Sequence, residues 1–175
     1  FKPCTEYACR SLGSGCKLLN EGLGNETCVF VSPRDTTSPR ISALTDILPA
    51  GFTVSQLSNG YRINQEIRPF EDLSFGVKTD EPAQCKITDK LGTKFDDVPS
   101  FIAGSQYKYN HIVSLKIPQE IFEEPAIQIT NGGKYSFYVR CKDGNGNDND
   151  ADYIIQFNVK PGPDLTPPVI EQASI

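Results

Sequence analysis

From about residue 35 onward, apolar and polar residues alternate with a period of two. Leu73, Phe75 and Val77 alternate with Ser74, Gly76 and Lys78, and Cys85 and Ile87 with Gln84, Lys86 and Thr88. His111, Val113, Leu115 and Ile117 share one face, with Ile112, Ser114 and Lys116 opposite. Tyr135, Phe137, Val139 and Cys141 repeat the pattern, as do Tyr153, Ile155, Phe157 and Val159. A period of two buries one face of a segment and wets the other, which predicts strands. Asn59-Gly60, Asn131-Gly132, Asp143-Gly144 and Asn145-Gly146 supply turns that need positive φ. The expectation is an all-β chain, an antiparallel β-sandwich or barrel. The 14 Gly and 13 Pro leave no stretch free of both longer than residues 147–160. That is shorter than the roughly 20 apolar residues a transmembrane helix needs.

Residues 1–34 differ. They hold four of the six cysteines, Cys4, Cys9, Cys16 and Cys28, with little apolar periodicity. So short a segment cannot build a core alone, so it reads as a disulfide-knit module whose three pairings stay open. No C-x-x-C spacing occurs and one histidine is present, which disfavours zinc. An even cysteine count in a Gly/Pro-rich chain points instead to disulfides in an oxidising compartment. The net charge of −5 supplies no basic face for nucleic acid or an anionic membrane. Methionine is absent, so Phe1 is expected to arise by processing or by excision from a longer chain.

One motif occurs twice. Asp35-Thr-Thr-Ser-Pro-Arg-Ile41 and Asp164-Leu-Thr-Pro-Pro-Val-Ile170 share D-x-T-x-P-x-I at an offset of 129 residues. Proline in such a segment suits a linker running into an edge strand. The expected organisation is a cysteine-rich module over 1–34 and a β-domain over 35–162. Residues 163–175 would then be a linker and first strand of a following domain, or a donor strand to a neighbouring subunit.

Several motifs now combine: Thr79-Asp-Glu-Pro-Ala-x-Cys85, His111 at a strand start, Tyr135-Ser-Phe-Tyr-Val-Arg-Cys141-x-Asp143-x-x-Gly-Asn147-x-Asn149, and Ile155-x-Phe157-x-Val159. Together they resemble the fibronectin-III/Ig-like repeats of large prokaryotic surface proteins, and D-x-T-x-P-x-I looks like the linker between such repeats. The spacing Cys4…Cys9-Arg-Ser-Leu-Gly…Cys16…Cys28-Val is similar to a cysteine-rich insert preceding repeats in some archaeal surface proteins. The resemblance implies a sandwich fold, a cell-surface or extracellular setting, and a Cys85–Cys141 disulfide across neighbouring strands. It implies no particular activity. The expected function is a non-catalytic structural or adhesive module, with copies of itself or adjacent repeats as partners, assembling into a fibre by strand addition. The alternative is a module binding carbohydrate or peptide through its loops, with cell-surface glycans as ligands.

Candidate chemistry is sparse. Asp143, Asn145 and Asn147 have D-x-N-x-N spacing, and Asp148, Asp150 and Asp152 could complete an oxygen cage for calcium. Asp148 and Ile154 stand where an EF-hand loop needs Gly and Glu, so the competing reading is a solvated hairpin built from Asx and Gly turns. Otherwise no cofactor is expected. Asn25-Glu26-Thr27 is an N-x-T sequon, which would make Asn25 a glycosylated surface residue. His111 has no Ser/Asp constellation and reads as structural. Glu123-Glu124 and Asp96-Asp97 would point to opposite faces of a strand, a poor acid/base pair. No enzyme is predicted.

Overall fold

The computed structural model describes residues 4–32, 34–116, 119–121, 127–129 and 132–162. The described residues are mostly β, with 49% in strands and 6% in helices. The N-terminal part holds helix α1 (Glu6–Ser11) and the antiparallel pair β1 (Cys16–Leu19) and β2 (Thr27–Phe30). Thr5 caps α1 by accepting the Ala8 amide on its side-chain oxygen at 3.2 Å.

A seven-stranded sheet follows: β3 (Ile41–Ala43), β4 (Val54–Leu57), β5 (Gly60–Ile67), β6 (Asp72–Thr88), β7 (Lys108–Lys116), β10 (Gly133–Asp143) and β11 (Tyr153–Val159). A two-stranded ribbon of β8 (Gln119–Ile121) and β9 (Ile127–Ile129) lies between β7 and β10 in sequence. The sheet order is β3-β6-β10-β11-β5-β4, with β7 also on β6, and the sheet curls into a half-barrel. All its pairings are antiparallel except β5 with β11.

The curl depends on β6. The alternation around Phe75 and around Cys85 suggests two strands; they are one strand of 17 residues. Its register against β7 advances from Lys78 to Ala83 while β7 moves between Asn110 and Lys108. The extra residues form a bulge, which bends a strand and lets it serve two parts of a sheet. Pro82 lies inside that bulge, where its missing N–H removes no ladder bond. Before the bend β6 pairs with β3 and β7; after it, Ala83–Thr88 pair with β10.

The bend closes the core. Phe75 stacks across it on Phe137 (6.0 Å) and packs tilted against Phe157 (5.6 Å). The Tyr61 hydroxyl donates to the Gly76 carbonyl at 3.0 Å from the facing β5. Gly76 cannot carry a Cβ, which would collide with the His111 carbonyl, and Gly60 is barred from one by the Ile154 carbonyl.

Registers define two ends. Asp143, the β6 bend, Lys108 and the start of β5 lie at the near end. Val159, Gly133, Ile67, Asp72 and Lys116 lie at the far end, where the Lys160 amide donates to the Ile67 carbonyl.

Candidate functional site

The near end gathers most of the polar chemistry, including the docking of the N-terminal part. Lys17 donates to the Gly144 carbonyl at 2.5 Å, and Asn145 Nδ2 to the Ser32 carbonyl at 2.9 Å. Asn20, buried and held at φ 62°, accepts the Tyr107 amide at 2.6 Å and returns its own amide to the Tyr107 carbonyl at 3.1 Å. Gln106 donates to the Leu23 carbonyl at 3.0 Å. The long 90–110 connection thus supplies part of the surface on which residues 4–32 sit. An open cavity of about 670 Å³ lies along the seam, with Glu6, Arg10, Cys16, Lys17, Glu21 and Asn145 in its lining.

Two disulfides are present. Cys85–Cys141 joins residues directly opposite in β6 and β10, and Cys9–Cys28 ties α1 to β2. Cys4 and Cys16 are free, the first exposed and the second half-buried. The expectation that all four N-terminal cysteines knit the module is corrected: one bond does so, and docking on the sheet supplies the remaining support.

The residues of 143–152 play separate parts. Asp143 is buried, and its Oδ1 accepts the amides of Asn145 and Asn147, both at 2.8 Å. Asn147 donates its side-chain amide to Asp143 Oδ2 and to the Asp35 carbonyl. Asp148 bridges back to Lys142 through backbone, and Asp150 is exposed. Asp152 is buried in a close-range ion pair with Arg140 at 2.7 Å, and also accepts the Gly92 amide at 2.7 Å. The side-chain amides of Asn145 and Asn147 are therefore engaged as donors, and Asp152 answers a cation of the protein itself.

Another carboxylate set converges instead. Asp35, Glu81 and Asp143 place one oxygen each within 4.8 Å of one another, a donor set with the spacing to hold a metal ion. Asp35 comes from the D-x-T-x-P-x-I linker, Glu81 from the bend of β6, and Asp143 from the end of β10. Burial and then the charges of Asp143, Asp35 and Asp80 push the Glu81 carboxyl up to about 7. Hydrogen bonds from the Thr37 side chain and amide lower Asp35. No sequence spacing signals this set as a whole, because 46 and 62 residues separate its members; D-x-N-x-N marks Asp143 alone, and D-x-T-x-P marks Asp35 without a ligand role.

On the outer face of β6 and β10, Lys86, Arg140 and Lys142 form a row of cations. Lys142 pairs with Asp96 at 2.6 Å, and Lys86 lies over the rings of Phe95 and Phe101. Asp96 and Asp97 stand in a 3₁₀ turn, Phe95–Asp97, rather than in a strand. His111 is fully buried, with Nε2 at 3.0 Å from the Lys108 carbonyl. Burial lowers its pKa to about 4, against backbone hydrogen bonding that favours the charged ring. Asn25 is exposed, its side chain 3.4 Å from Gln106, and Thr27 donates to the Asn25 carbonyl. Glu123, Glu124 and residues 163–175 lie outside the described residues.

No protein-family model, curated protein or solved structure matches this chain.

Proposed function

We propose that the chain is a non-catalytic structural module of an extracellular, cell-surface protein, a fibronectin-III/Ig-like unit that carries a cysteine-rich cap. The observation that carries this reading is the seam. Residues 4–32 are fastened to the near end of the sheet by side-chain to backbone bonds made from both sides, with Asn20 buried among them. A flexible reach would need a linker without such contacts; a spacer that holds neighbours at a fixed distance needs the opposite. The two disulfides accord with an oxidising compartment.

Backbone ¹⁵N relaxation tests this. One correlation time is expected for residues 4–32 and for the sheet. Asn20→Ala, which strips two bonds from the seam at roughly 1–3 kcal/mol, should let the cap tumble faster. Independent tumbling in the unaltered chain would defeat the spacer reading. The second reading, a ligand-binding module, is favoured by the charged cavity along the seam. A saturable signal on a glycan or peptide array, abolished by Arg10→Ala or Lys17→Ala, would move the assignment there.

A further inference from the structure

The structure shows what the repeated D-x-T-x-P-x-I motif does in its first copy. Asp35 Oδ1 accepts the Thr37 amide at 2.9 Å and the Thr37 hydroxyl at 2.6 Å, which fixes the turn. Pro39 is buried, and Ile41 packs against the core while pairing with Thr79 of β6. These are the four positions the two copies share. Three positions differ: Thr36 and Arg40 expose their side chains, Ser38 is half-buried and matched by Pro167, and Arg40 engages Asp80 through its backbone amide and carbonyl. Val169 at the position matching Arg40 has the same backbone groups.

Residues 164–170 therefore retain the shared side chains needed to fill the same seat, at Thr79–Asp80 on the edge of β6. In its own chain that seat is taken by 35–41. Residues 35–41 lie beside Asp143 at the near end, whereas Lys160, four residues before the second copy, bonds the Ile67 carbonyl at the far end. Exchange of an equivalent segment between protomers preserves the bonds made and is a low-cost route to association. A contact from the far end of one molecule to the near end of another is head-to-tail, and such contacts propagate.

We infer that residues 164–170 of one copy take, in a second copy of this chain, the place that residues 35–41 hold at the β6 edge. This rests on the structural reading above and gives the module its partner: another molecule like itself, joined by strand exchange.

Register supplies the test. Ser42 pairs with Lys78, both exposed, and the residue 129 positions after Ser42 is Glu171. In a Cys4→Ser/Cys16→Ser background, a chain carrying Glu171→Cys is mixed with one carrying Lys78→Cys under mild oxidation. A covalent heterodimer is expected in several-fold excess over a control with Ser114→Cys, and Asp164→Ala/Pro168→Ala in the donor should return it to control level. The chain's own segment competes at millimolar effective concentration, so the mixture is read at high protein concentration. Yields equal to the control overturn the inference. The relaxation experiment reads the seam within one molecule at dilution, so that outcome leaves the spacer reading standing.

Discussion

The curled sheet and the N-terminal cap reach stability by different means. The sheet buries a continuous apolar core in which Leu73, Phe75, Val77, Ala83 and Cys85 are all fully inaccessible. Its disulfide sits inside that core between neighbouring strands. The cap buries Cys9, Leu19 and Asn20 but leaves Tyr7, Leu12 and Phe30 at 85%, 71% and 75% exposed. Covalent closure and a polar seam do for the cap what apolar burial does for the sheet. A segment too small to offset the entropy of folding from its own core can still be ordered, provided a larger neighbour supplies the surface.

The strongest way to break this contrast is inside the sheet. Phe75→Ala removes the ring that packs across the core on the stacked pair Phe137 and Phe157, and should cost about 3–5 kcal/mol in urea denaturation. Because the cap leans on the sheet, its amides should lose protection at the same denaturant concentration; a cap that survives sheet unfolding would show it to be autonomous.

The converse substitution should be one-sided. Cys9→Ser/Cys28→Ser opens a bond whose partners are 19 residues apart, worth about 3 kcal/mol by loop-closure entropy. Hydrogen exchange should accelerate through α1, β1 and β2 while β10 and β11 keep their protection. Equal loss in both regions would mean that the cap contributes to the sheet as much as it receives.

The smallest effect lies where the regions meet. Glu81 is pushed up to about 7 from an ordinary 4.5, so the folded chain holds a proton there that the unfolded chain has already released. Stability from that proton is complete below pH 4.5 and is lost as pH rises through 7. Glu81→Gln should thus raise thermal stability at pH 8, by roughly 0.5–1 kcal/mol after solvent screening, and leave it unchanged at pH 4. Calcium titration of the same pair sharpens the point. If a cation occupies Asp35, Glu81 and Asp143, it stabilises the unaltered chain more than the variant. An equal response means that the three carboxylates simply repel.

The core was legible because strand periodicity is local. Of the residues whose alternation marks them as inward on β10 and β11, Tyr135 is half-buried and the others, Phe137 to Cys141 and Tyr153 to Val159, are buried. The bend in β6 was not legible, since Pro82 and the charged pair Asp80-Glu81 read as a break; in the fold they form a bulge in a continuous strand. The parallel pairing of β5 with β11 and the seam at Asn20 were equally hidden, because the first joins distant backbones and the second sets one side chain on the distant Tyr107 backbone, whose groups every residue possesses. The metal-ligand spacing at 143–152 illustrates the same limit from the other side. Local spacing suggests a cage, whereas long-range contacts direct Asn147 to Asp35 and Asp152 to Arg140.

The Cys85–Cys141 bond has a mechanical consequence. Tension between the two ends of the chain would travel along β6, cross the sulfurs, and continue along β10. Residues 86–140, including β7 and the β8–β9 ribbon, lie off that path. At roughly 3.4 Å per residue, about 190 Å of contour is withheld from extension while the bond is intact. Reduction would release it, turning a short, stiff link into a long, compliant one without changing its attachments.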